Sequence, residues 1–106
     1  MYIYLVDFWD LEAIKAFLSG VPDDKMIVLD VNAVGNPAWL KTDSFYGKPF
    51  IYCLEHNFGG MRGIYGNMEA DPFDAVHYKN SSFVGIGLTP EAIEQNPVIY
   101  DMMVRL

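Results

Sequence analysis

Three short apolar runs constrain this chain more than any other feature: Met26–Val31 (MIVLDV), Pro49–Leu54 (PFIYCL) and Phe83–Leu88 (FVGIGL). None alternates with polar residues, the pattern of strands covered on both faces, and such strands belong to parallel sheets flanked by helices. Helix-like stretches lie around them. Leu11, Ile14, Lys15, Phe17 and Leu18 predict an amphipathic turn or two that stops near Gly20 and Pro22. After the third run, Thr89 precedes Pro90 and Glu91, and Ile93, Pro97, Ile99, Tyr100, Met103 and Val104 predict helical segments around a break at Pro97. The Gly-rich section from Gly59 to Tyr78 holds a shorter helical candidate at Ile64–Ala70. This alternation is the grammar of parallel α/β architecture.

With 106 residues and no tandem repeat, low-complexity tract or linker, the chain reads as one unit. Seven basic against fourteen acidic side chains, a net charge of −7, speak against nucleic acid or an anionic membrane surface as partner, because phosphate contacts need clustered Lys and Arg. No apolar run approaches the ~20 residues of a membrane span. The first ten residues carry Asp7 and Asp10 without a basic leader region, so no secretion signal is legible. Cys53 is the only cysteine, which excludes an internal disulfide, argues against cysteine-based zinc, and within an apolar run reads as a small buried hydrophobe.

Nothing points to a cofactor or metal. Asp30-x-Asn32-x-x-Gly35 resembles the start of a calcium loop, but Val34 occupies a ligand position and Lys41 stands where the bidentate glutamate belongs. Gly59, Gly60 and Gly63 lack the fingerprint and lysine of a phosphate-binding loop and read as a flexible site loop. Asn80-Ser81-Ser82 is a legal glycosylation sequon, meaningful only on a secretory route. Trp9, Trp39 and the tyrosines read as core material.

The polar residues fall where chemistry collects in such folds. Asp30 closes the first run, Glu55, His56 and Asn57 follow the second at once, and Glu91 lies just beyond the third. The carboxyl ends of parallel strands point to one face, so these five residues are expected on one rim. Charged residues also commonly begin loops. Taken alone, Glu91 reads as a first-turn glutamate favoured by a helix dipole, His56 as a hydrogen-bonded structural histidine, and Asn57 as a turn organiser.

Three strands neither close a barrel of eight nor make a comfortable doubly wound sheet, so the chain is expected to be part of a larger enzyme domain that starts and stops mid-architecture. The stretches LKTDSFYGKPFIYCLEHNFGGMRGIYGNMEA (40–70) and NSSFVGIGLTPEAIEQNPVIYDMM (80–103) resemble the catalytic barrel of the α-N-acetylglucosaminidases, glycoside hydrolase family 89. FWDLEAIKAFLSGVPDDKMIVLDVNAVGNPAW (8–39) is similar to the barrel segment that precedes them. The resemblance runs in order through nearly the whole chain, and HNFGG and the Gly-Leu-Thr-Pro-Glu…Gln-Asn block are long, unusual strings.

The resemblance implies that residues 1–106 are part of a single catalytic domain, about three βα units of a TIM (β/α)8 barrel. It implies a retaining hydrolase that removes terminal α-linked N-acetylglucosamine from glycans such as heparan sulfate, in lysosomes or in exported bacterial enzymes. Glu91, in Thr89-Pro90-Glu91-Ala92, matches the family's nucleophile, while the acid/base glutamate belongs to an earlier strand upstream of this segment. Val31, Glu55, His56 and Asn57 match positions at the sugar pocket. The chain departs from the family pattern at Tyr52, where Trp is usual, and at Glu55, where an apolar residue precedes the His-Asn pair. Met61 replaces an Asn, and Val34 an acidic residue. Two other classes stay in play: a non-catalytic carbohydrate-binding module or decayed remnant using the Asp30, His56 and Glu91 rim, and a small structural α/β domain without ligand.

Overall fold

The computed structural model describes residues 9–55, 72–91, 93 and 95–105. The elements run α1 (Leu11–Ser19), a 3-10 turn (Asp23–Lys25), β1 (Val28–Asp30), α2 (Ala38–Lys41), a second turn (Phe45–Gly47), β2 (Phe50–Leu54), α3 (Phe73–His77), β3 (Phe83–Leu88) and α4 (Pro97–Arg105). The strands form one sheet in the order β1-β2-β3, and both pairings are parallel. This is α/β architecture as the apolar runs predict. The candidate helix at Ile64–Ala70 lies outside the described residues.

Helix α1 starts where Asp10 Oδ1 accepts the Ala13 N–H at 2.7 Å, and it ends at Gly20. Its buried stripe, Ile14 and Leu18, joins the core with Phe45, Phe50, Tyr52 and Leu54 from the central strand and its approach, and with Ile99 and Met103 of α4. Trp39 stacks on Phe50 at 6.4 Å between ring centroids and meets Tyr78 edge-on at 5.4 Å, so these aromatics are core material. Lys48 is buried, and its ammonium donates to Val21 O and to Asp23 Oδ1, the second at 2.7 Å, so its charge is paired.

Three expectations need correction. The first run yields only three strand residues, Val28–Asp30; Ile27 is exposed, because the β1–β2 ladder begins at Val28↔Phe50. The third run is not covered on both faces: Val84 and Leu88 are exposed on the edge strand, and the register passes from Phe50↔Phe83 to Ile51↔Gly85, stepping over Val84. Pro97 opens α4 rather than breaking a helix. Its missing N–H falls where no intrahelical partner exists, and Asn96 supplies the cap, its Oδ1 accepting Val98 N at 3.1 Å.

Candidate active site

All three strands point the same way, so their carboxyl ends lie on one edge, and Val31, Glu55 and the Thr89–Glu91 segment leave the sheet there. Thr89 holds that edge together. Its N–H donates to Leu54 O at 3.0 Å, and its hydroxyl lies 3.0 Å from Leu54 O and 3.2 Å from Val31 O, so one side chain joins the ends of all three strands. Ala33 N adds a bond to Cys53 O at 3.3 Å.

Glu55 and Glu91 meet on this edge. Glu55 is 8% exposed, and the Glu91 side chain is its neighbour. Burial first, then the hydrogen bond and the charge of Glu91, push the Glu55 carboxyl up to about 7. Its Oε1 is buried and finds no hydrogen-bond partner among the described residues. Glu91 is half-buried and lies in no helix, so the first-turn reading does not hold; Thr89, two residues before it, is tied to the sheet. Gln95 Nε2 donates to the Glu91 carbonyl, and Tyr100 on α4 donates its hydroxyl to Gln95 Oε1. Burial, then the Glu55 charge, raises the Tyr100 phenol.

Asp30 faces away from this pair in its bonding. Its Oδ2 accepts Trp39 N at 2.9 Å, and its backbone partners at Trp39 and Ala38 are the first N–H groups of α2. Burial pushes its carboxyl up to about 6 against the pull of those two N–H groups and of Lys41. Asp30 therefore holds a helix start. The Asn32 side chain folds back on its own turn, Oδ1 accepting Gly35 N at 3.0 Å, which gives a structural account of the Asp30–Gly35 spacing. Burial, then the Asp30 charge, pushes the Cys53 thiol up to about 11, as suits a buried hydrophobe.

Val31, Glu55 and Glu91 are thus brought to one edge, while His56 and Asn57 lie outside the described residues, as does Met61. Sequence reasoning missed Thr89, Gln95 and Tyr100 as parts of the site. Only Thr89 carried a signal, a hydroxyl immediately after an apolar strand; the other two are recruited by the packing of α4.

Residues 1–106 match the family model for the "Alpha-N-acetylglucosaminidase (NAGLU) tim-barrel domain". The chain belongs to the alpha-N-acetylglucosaminidase family. It is 44% identical over 102 residues to the alpha-N-acetylglucosaminidase of Homo sapiens, an alignment that takes in 93% of this chain and 14% of the human protein. The chain thus spans a small part of the relative it matches and is a glycosidase-family segment. Among the described residues, no helix is long and apolar enough to cross a membrane, and no three His, Cys, Asp or Glu side chains cluster as a metal site would.

Proposed function

We propose that residues 1–106 are part of the single TIM-barrel catalytic domain of a retaining glycoside hydrolase that removes terminal α-linked N-acetylglucosamine from glycans such as heparan sulfate. Glu91 is its nucleophile, attacking the anomeric carbon to form a glycosyl-enzyme. An acid/base glutamate from elsewhere in the full-length protein protonates the leaving oxygen and then activates the water that releases the sugar. Val31, Glu55, His56 and Asn57 line the sugar pocket, where Glu55 Oε1, without a hydrogen-bond partner among the described residues, is an acceptor for a substrate hydroxyl.

The observation that carries the reading is Glu91 on the carboxyl edge of a parallel sheet, in a chain that matches the family from end to end. A lysosomal, periplasmic or secreted location follows from the same resemblance.

The test is to read the coding region on both sides of this segment and to assay the complete product on an aryl α-N-acetylglucosaminide. Further barrel strands upstream, one ending in a second glutamate, and hydrolysis lowered about 10³-fold or more by Glu91→Gln are expected. Glycan binding without turnover would instead make the segment a binding module or decayed remnant.

A further inference from the structure

Glu91 and Gln95 lie in neither helix nor strand, so no helical or sheet ladder fixes the main chain that carries the Glu91 carboxyl. Two side-chain anchors flank it instead. On the amino side, Thr89 is tied to Leu54 O and Val31 O, and Pro90, whose ring locks its φ, is the only residue between that anchor and Glu91. On the carboxyl side, Gln95 Nε2 donates to the Glu91 carbonyl, and the Tyr100 hydroxyl meets Gln95 Oε1. Tyr100 stands on α4, which Ile99 and Met103 seat in the core.

Chemistry fixes the direction of this relay. A carbonyl oxygen only accepts, so the Gln95 amide must turn its NH2 to Glu91 O. Its own oxygen then faces Tyr100, and the phenol proton is committed to it. A flipped amide would set oxygen against oxygen at Glu91, and the Tyr100 O–H selects against that flip.

We propose that Gln95 and Tyr100 are positioning residues: Tyr100 orients the Gln95 amide, and the amide holds the Glu91 carbonyl, so that the packing of α4 sets the aim of the Glu91 carboxyl. The catalytic meaning rests on the assignment of Glu91 as nucleophile; the relay itself does not. Neither side chain needs to touch the sugar. Attack on the anomeric carbon is sensitive to small displacements of the attacking oxygen, so losing the relay falls on the chemical step rather than on substrate binding.

The deciding experiment assays the full-length protein on an aryl α-N-acetylglucosaminide from pH 7 down to 4.5, with urea unfolding in parallel, as wild type, Gln95→Glu, Gln95→Met, Tyr100→Phe and the double variant Gln95→Met/Tyr100→Phe. Gln95→Glu keeps the shape of the side chain but at neutral pH sets a carboxylate against the Glu91 carbonyl. Once protonated, the new carboxyl offers an O–H to Glu91 O and an oxygen to Tyr100, as the amide does. Its kcat and kcat/KM are expected about tenfold to a hundredfold below wild type at pH 7 with KM held, and the deficit is expected to close as the pH falls toward the ordinary carboxyl range of ~4.3. A deficit equal at every pH overturns the proposal, as does a loss confined to KM.

Tyr100→Phe is expected to lower kcat severalfold in the wild-type background and not beside Gln95→Met, because the phenol acts through the amide. Equal losses in both backgrounds defeat the relay. If Gln95→Met fails to fold, Tyr100→Phe alone decides, and a wild-type kcat overturns the proposal. A wild-type protein without hydrolysis, or Glu91→Gln with full hydrolysis, sinks the nucleophile reading instead. Unfolding then decides the relay: Gln95→Glu is expected to lose urea midpoint at pH 7 and regain it in acid relative to wild type, and a constant difference defeats it.

Discussion

Thr89 joins three strand ends with one hydroxyl, and the consequence can be measured. Thr89→Val keeps the shape but leaves Val31 O without this donor, while Leu54 O retains the Thr89 N–H. A loss of about 1–2 kcal/mol in denaturant unfolding is expected, with Thr89→Ser close to wild type, because the term lost is the hydroxyl's hydrogen bond. Asp30 predicts a pH effect. Its carboxyl titrates near 6 folded against 3.8 unfolded, so the native state binds the extra proton between those values. Stability contributed by Asp30 is present below pH 3.8 and is lost as pH rises to about 6, at most about 3 kcal/mol. Asp30→Asn keeps an acceptor for Trp39 N and is expected to flatten that part of a Tm–pH curve; an unchanged curve refutes the assignment.

The two glycines in β3 separate packing from exposure at the scale of the element. A Cβ on Gly87 would lie 2.8 Å from Cys53 Sγ and 3.2 Å from Ile51 Cγ2, whereas one on Gly85 meets nothing within 4 Å. Gly87→Ala is expected to cost about 1–3 kcal/mol, and less in a Cys53→Ala background, while Gly85→Ala stays within about 0.5 kcal/mol of wild type. Equilibrium unfolding of wild type, Gly87→Ala, Cys53→Ala and the double variant reads the coupling directly. The approach to β2 shows how tertiary contacts override local preference: Asp43, Ser44, Phe45 and Tyr46 have φ between +48° and +62°, a left-handed run that L-residues resist. It persists because Phe45 is buried in the core, Ser44 N donates to Trp39 O at 2.7 Å, and Ser44 and Ser82 bond to each other across 38 residues of chain. No sequence period announces such a turn.

At the scale of the whole molecule, the sheet of this chain has an apolar edge. Val84 is 57% exposed and Leu88 39%, both on β3, and Val98 and Val104 of α4 are exposed as well. If the rest of the full-length protein covers these side chains, residues 1–106 alone are expected to self-associate, to bind a hydrophobic dye and to lack hydrolysis. A monodisperse, dye-silent product on size exclusion would count against the barrel reading. The acidic surface charge does not change that expectation, since the exposed apolar groups sit on elements with few charges of their own. The apolar runs and the strings HNFGG and TPEAIEQN made the parallel sheet and the family legible, because burial on a strand and family membership are both written in local residue order. The sequence by itself determined the strand segments, the polar residues at their ends and the net charge. Only the tertiary structure decided that Asp30 turns to Trp39 while Glu55 turns to Glu91, that Pro97 begins a helix, and that Thr89 binds three strands. Those outcomes depend on which distant groups come within hydrogen-bond reach, and the order of residues along one strand holds no record of that distance.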